Sequence, residues 1–176
     1  MLLGMKECIG TKRIKAYPMN RAEYNEYRGW ELPSDENGSD VGYLVEYLDG
    51  GKSNHPDHNG YISWSPSEVF HKAYREVTGL SFGLAIEAAK KGMKIARKGW
   101  NGKNMFVVYM SPMFLPPFSD QTTNRKVNDR TAKWIGEDTP LNTLGYFAMF
   151  TADRKWLPGW LASQTDMLAE DWEIVT

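Results

Sequence analysis

The chain is poor in the features that would most quickly assign it a chemistry. It has one cysteine, Cys8, in 176 residues. That excludes an intrachain disulfide framework and a cysteine-based zinc site, and it fits a reducing compartment. As a lone thiol, Cys8 is expected to be buried or capped and inert. Charge of one sign is also missing, since 21 Lys and Arg stand against 22 Asp and Glu. A formal charge of -1 supplies no global field to draw the protein onto a duplex nucleic acid, so any anion binding has to be local. No apolar stretch approaches the roughly 18 residues of a spanning helix, and the start "MLLGMKECIG" has too short an apolar core for a secretory leader. These readings predict a soluble intracellular protein with no membrane partner. There is no internal repeat and no low-complexity tract.

The catalytic signatures are equally thin. "GWNG" and "DGGK" lack the spacing of a phosphate-binding glycine loop. No Ser, His and Asp set and no nucleophile elbow stands out, and His71 lies on a predicted helix without an obvious partner. The acidic stretch "SDENGSD" lacks the spacing of a calcium loop and reads as a solvated turn. In "HPDH", His55, Asp57 and His58 offer imidazole and carboxylate ligands close together, but no fourth ligand is evident and a solvated hairpin loop is the default.

Aromatic residues are abundant instead: seven Trp, nine Tyr and seven Phe make 13% of the chain, against a mean hydropathy of -0.53. Rings at that density either fill the core of a small domain or lie at a ligand pocket or subunit interface.

The local patterns predict an α+β fold in two small units, with antiparallel strands and helices packed on one face. In the first unit "RIKAYP" is an extended run, and Asn20 with Glu23 forms a capping box for a helix ending at Gly29. "YLVEYL" and "YISWS" read as a hairpin with a long loop. Ser65, Pro66 and Glu68 suggest the N-cap, N1 and N3 positions of a helix that runs to Gly79, its apolar face formed by Val69, Phe70, Ala73 and Tyr74. The second unit opens with a helix capped by Ser81, with Phe82, Ala85, Ile86 and Ala89 on one face and Gly92 after its end. "MKIARKGW" and "MFVVYM" are strands joined by the Asn101–Gly102 turn. Residues 111–144 form a long polar excursion broken by prolines, in which "NRKVNDRTAKWIG" reads as a short helix. "YFAMFTADRKWLPGWLA" gives two strands, and "SQTDMLAEDWEIV" a helix capped by Ser163 followed by a closing strand at 172–175. The division expected is 1–78 and 79–176.

Two segments suit an anion. "RKGWNGKN" surrounds Trp100 with Arg97, Lys98, Asn101, Lys103 and Asn104, and "SQTD" presents helix-terminal amides beside Ser163, Gln164, Thr165 and Asp166. If their strands share a sheet, they face one pocket with Trp100, Tyr109 and Trp160 as stacking surfaces. The competing reading makes Trp100 and Trp160 core residues and the cations a wet face.

From Leu80 to the C-terminus, "LSFGLAIEAAKKGMKIARKGWNGKNMFVVYM" and "GWLASQTDMLAEDWEIV" resemble the phage-encoded Thoeris anti-defence proteins of the second type. The resemblance spans about residues 80–175. It implies a helix-plus-antiparallel-sheet fold assembled as a homotetramer. It also implies a non-enzymatic sponge that holds glycocyclic ADP-ribose, the signal of a TIR-domain enzyme, in the cytoplasm of the infected bacterium, with no cofactor. Some relatives are associated with cyclic oligonucleotide signals at separate sites. Carried onto this chain, it points to Trp100 with Phe82, Asn101 and Asn104 nearby, and to Trp160, Ser163, Gln164, Thr165 and Asp166. The first unit resembles a small module of phage proteins for which no activity is implied. Two other classes stay open: a metal-dependent enzyme degrading the signal through His55, Asp57 and His58, and a structural phage assembly protein.

Overall fold

Ten short strands and five short helices, 26% and 20% of the chain, build three antiparallel sheets in the computed structural model, which describes residues 6–176. The fold is α+β, as the sequence predicts. The apolar start at residues 1–5 lies outside the described residues. The chain divides into two units between Arg75 and Glu76.

In the first unit, β1 (Ile14–Pro18), β2 (Gly42–Tyr47) and β3 (Ile62–Pro66) form a sheet in that order. Helix α1 (Arg21–Arg28) starts at the expected capping box: Asn20 Oδ1 accepts from Glu23 N and the Glu23 carboxylate accepts from Asn20 N, both at 2.8 Å. It stops at Gly29, whose φ of 66° is the left-handed conformation that favours glycine. Tyr24, Leu44 and Ile62 make its small core. The loop between β2 and β3 is fixed by the buried Glu46 carboxylate, which accepts from the amides of Asn59 and Gly60 at 3.1 Å each.

Helix α2 (Ser67–Ala73) differs from expectation at both ends. Ser65 pairs with Tyr43 inside β3, so the N-cap falls on Pro66 and no side chain caps the helix. Its end comes at Ala73 and not near Gly79, because the backbone from Val77 is recruited by the second unit. No residue of α2 is buried: Val69 is 56% exposed, and Phe70 instead stacks on Tyr43 with ring centroids 4.0 Å apart. Cys8 is exposed and not buried.

In the second unit a five-stranded sheet runs in the order β10 (Trp172–Val175), β4 (Lys94–Arg97), β5 (Phe106–Met110), β8 (Tyr146–Phe150), β9 (Trp156–Pro158). The entering chain lies along β10, with Val77 O accepting from Ile174 N and Leu80 exchanging both backbone bonds with Trp172. Side chains alternate across each strand. Ile95, Val107, Met149 and Trp172 therefore share one face, and α3 (Phe82–Lys90) buries Ala85, Ala88 and Ala89 against it. Alanines let the helix approach the sheet closely. Ser81 holds the N-cap position without a capping side-chain bond, and Gly92 follows the helix at φ 88°.

The join between β4 and β5 is not a two-residue Asn-Gly turn. It spans residues 98–105, and only Ile95 and Val107 pair across it. Asn104, at φ 59°, takes the left-handed position, whereas Gly102 is required for space: a Cβ there would strike the Met105 sulfur and, at 2.8 Å, the Ala152 methyl. Residues 111–144 hold a further hairpin, β6 (Met113–Leu115) with β7 (Leu141–Thr143), and the expected helix α4 (Asp129–Ile135), capped by Asn128. The helix α5 (Gln164–Met167) packs near α3 and leads into β10.

Candidate functional site

Arg97 ends β4 on the α3 side of the sheet, opposite Trp172 in register, and its guanidinium organises the surroundings. Nε donates to Asp171 Oδ1 at 2.8 Å, and Nη1 donates to Asp166 Oδ1 at 3.0 Å and to the Thr165 carbonyl at 3.3 Å. Asp171 Oδ2 also accepts from Gly99 N at 2.7 Å. One arginine thereby ties the start of the 98–105 loop to α5.

Asp166 is the second hub, and its carboxylate is filled. Oδ1 accepts from Arg97 and, at 3.0 Å, from the Trp100 indole N–H; Oδ2 accepts from Ser163 N at 3.0 Å and Ser163 Oγ at 2.7 Å. Ser163 Oγ also pairs with Asp166 N, which completes the capping box of α5. Burial pushes the Asp166 carboxyl upward, but the bonds from Trp100, Ser163 and Arg97 outweigh it and hold the pKa at about 2. Asp171 is lowered too, first by its bond to Arg97.

A folded-state pKa below the unfolded value of about 3.9 contributes stability that is present above pH 4 and disappears as pH falls through the folded value. Asp166 is expected to contribute about 1–2 kcal/mol, allowing for solvent at the rim of the network. Urea unfolding of the wild type should show this loss between about pH 4 and pH 2, and the profile of Asp166→Asn should be flatter there; parallel profiles would refute the linkage.

Around these hubs the rings converge. Trp172, fully buried, meets Phe82 at 5.6 Å, Trp100 at 5.4 Å and Trp160 at 6.2 Å between ring centroids, and Trp100 meets Trp160 edge-on at 6.2 Å. Phe82, Trp100, Trp160, Ser163 and Asp166 are thus brought together. Gln164 and Thr165 are exposed in the first turn of α5, and Asn101 is exposed in the loop. Tyr109 packs on Phe147 beneath Gly145, against the same hydrophobic core as Phe82, Trp100 and Trp160. The composition left core and pocket open for Trp100 and Trp160, and both are half-buried.

On the helix-free face of the same sheet lies a cleft of about 600 Å³. Phe106 and Phe150, paired across β5 and β8, stack at its base with centroids 5.2 Å apart and planes 20° from parallel. Lys94, Arg97, Lys98 and Arg154 bring cations to it, Glu173 a carboxylate and Asn104 an amide. Trp100 also lines the cleft, so one indole belongs to both the tryptophan cluster and the cleft wall. Sequence reasoning had Lys98 and Asn104 in view but missed Lys94, Phe106, Phe150, Arg154 and Glu173. Strand alternation carries the signal for four of them, and it becomes usable only once the strand pairing and the helix-covered face are known.

In the first unit, His58 Nδ1 lies 3.1 Å from Glu46 and its Nε2 2.9 Å from the Tyr27 hydroxyl, while His55 stacks on the Tyr27 ring. His55 and Asp57 are 3.8 Å apart. Among the described residues no group of three or more His, Cys, Asp or Glu is placed to hold a metal ion, and no helix is long and apolar enough to cross a membrane.

The second unit is therefore an α+β domain whose polar network and tryptophan cluster back onto a cationic, aromatic-floored cleft. Residues 80–175 match the Tad2-like family, described as the Thoeris anti-defense 2-like domain, and the chain belongs to that family. It is also similar to Thoeris anti-defense 2 of Bacillus phage SP01, at 40% identity over 99 residues that make up 56% of this chain and 98% of that protein.

Proposed function

We propose that this protein counters Thoeris defence by binding a cyclic ADP-ribose-type signal and withholding it uncleaved in the cytoplasm of the infected host. Residues 79–176 are the sponge, acting as a homotetramer, and residues 1–78 are an appended module. The observation that carries this reading is Trp100, whose indole is pinned by Asp166 and by two neighbouring rings while lining a cleft supplied with cations. A ring already fixed in place loses little freedom when a base stacks on it, which favours tight binding. Cations, an amide and aromatic surfaces are groups that hold a nucleotide by charge and stacking. The family relationship supports an anti-defense role.

Incubation with glycocyclic ADP-ribose followed by heat denaturation should return the ligand intact by mass spectrometry. Recovery of a cleaved product would instead support the signal-degrading enzyme, and absence of binding by calorimetry would support the structural assembly protein. Trp100→Ala should weaken binding roughly ten- to a hundredfold, the loss of one stacking surface, with the oligomer retained by light scattering. Unchanged affinity would remove Trp100 from the site.

A further inference from the structure

We infer that Asn101 is the site at which this chain deamidates, through a succinimide formed with Gly102, and that the product remodels the 98–105 loop between two residues that line the cleft. The chemistry stands apart from the proposed function, and only its effect on signal binding rests on that reading.

The sequence holds three Asn-Gly pairs, at 37–38, 59–60 and 101–102. Glycine lets its nitrogen approach the preceding Cγ because no Cβ stands in the way. The fold must then leave the asparagine amide free to turn and the glycine N–H free to lose its proton. Two of the pairs fail this requirement. The Asn37 amide is held at both ends: Oδ1 accepts from Ser39 N at 3.1 Å and Ser39 Oγ at 2.8 Å, while Nδ2 donates to Asp40 Oδ1 at 3.0 Å. At the second pair Gly60 is buried and its N–H donates to the Glu46 carboxylate at 3.1 Å, which disfavours removal of that proton.

The third pair is open at both points. Among the described residues neither the Asn101 amide nor the Gly102 N–H has a hydrogen-bond partner, and Asn101 is exposed to water outside any helix or strand. Gly102 N gives its proton to hydroxide and attacks Asn101 Cγ. The N–Cγ bond forms, the Cγ–Nδ2 bond breaks, and the amide nitrogen takes a proton from water and leaves as ammonia. Water then opens the ring at Cγ to give aspartate, or at the Asn101 carbonyl carbon to give isoaspartate, whose main chain runs through Cβ and Cγ.

Either product places a new carboxylate in a loop that carries Lys98 and Lys103. Isoaspartate also lengthens the main chain between Trp100 and Gly102, both of which line the cleft. Gly102 has little room to yield, since even a Cβ there would lie 2.8 Å from the Ala152 methyl. The added length therefore displaces the Trp100 side of the loop.

The full chain, incubated at mildly alkaline pH and sampled by peptide mapping, reports conversion as the mass change of NH exchanged for O, with isoaspartate read by enzymatic methyl labelling. Asn101 should react roughly tenfold or more faster than Asn37 and Asn59, where held hydrogen bonds must first open. In urea the three sites should react at similar rates. Folded protein in which Asn37 or Asn59 keeps pace with Asn101, or in which Asn101 is protected as strongly as they are, would overturn the assignment. Affinity for glycocyclic ADP-ribose should fall in step with isoaspartate content in aged wild type, and Asn101→Gln, compared with its own fresh sample, should lose none. Full affinity in extensively converted protein would overturn the remodelling of the loop. Fresh protein that does not bind the signal would refute the proposed function and leave the mass-spectrometric result standing.

Discussion

Asp166→Ala is expected to destabilise the second unit by about 3–5 kcal/mol in the absence of any ligand. The wild-type carboxylate receives four hydrogen bonds, from Arg97, Trp100 and twice from Ser163. Alanine leaves the guanidinium of Arg97, only 12% exposed, with one carboxylate in place of two, and it removes the partner of the Trp100 indole N–H. It also removes half of the capping box, the Oδ2 acceptor of Ser163 N and Oγ, while the bond from the residue-166 N–H to Ser163 Oγ remains. Leaving the Trp100 donor unsatisfied and the partly buried guanidinium with one carboxylate fewer is the expensive part, more than the loss of attraction itself. Asp166→Asn should fall between wild type and alanine. Its amide oxygen can still accept from Arg97 and Trp100, but the amide NH2 then faces the Ser163 N–H, donor against donor. Denaturant unfolding monitored by tryptophan fluorescence gives the ordering. If Asp166 served chiefly to touch ligand, the apo stabilities of all three proteins would be alike, and that result would sink the network reading.

Much of this architecture is legible in the sequence because it is local. Asn20 with Glu23 and Ser163 with Asp166 are short-range reciprocal hydrogen bonds, so spacing alone announces them. The strand from Trp172 to Val175 and the helix after Asn128 are likewise bounded by their own capping and alternation. The failures have long-range causes. Ser65 has the right chemistry for a cap but is held in β3 by Tyr43, and the helix expected to reach Gly79 yields to the pairing of Val77 and Leu80 with the final strand. Asn101-Gly102 has the composition of a tight hairpin turn, yet the arrangement of Gly99, Asp171 and Met105 spreads the loop to residues 98–105 and moves the left-handed residue to Asn104.

The site divides in the same way. "RKGWNG" and "SQTD" were visible as segments, but nothing in either string tells that Asp166 faces inward to Trp100 and Arg97, or that Lys94 and Phe106 share the opposite face of the sheet. Those relations depend on strand order β10-β4-β5-β8-β9, which couples residues more than 60 positions apart. Asp166 therefore acts through Trp100 in the proposed site, holding the ring that the base would meet.

Trp172→Ala is expected to lower stability by about 3–5 kcal/mol and to abolish high-affinity binding, although Trp172 itself does not line the cleft. The side chain is 0% exposed and is the largest fully buried group in the domain. It fills the space between Phe82, Trp100 and Trp160, while its indole N–H donates to the Asp166 carbonyl at 2.9 Å and its backbone pairs with Leu80. Truncation leaves a cavity beneath Trp100 and takes from the Asp166 carbonyl its shorter bond, leaving it the one from Ala169 N at 3.4 Å. The two defects act on the same ring, because Trp100 is held from one side by Trp172 and from the other by Asp166. Trp172→Phe separates them: it keeps most of the packing but not the hydrogen bond, and should lose only about 1–2 kcal/mol. Binding by Trp172→Phe should then stay within a few-fold of wild type, since a phenyl ring still supports the Trp100 face. Calorimetric titration of this variant at a temperature where it is folded decides the point. A Trp172→Phe protein that is stable yet has lost its affinity would mean that Trp172 takes part in recognition in a way packing does not explain, whereas an unchanged unfolding midpoint in Trp172→Ala would show that the cluster is not the core that fixes Trp100.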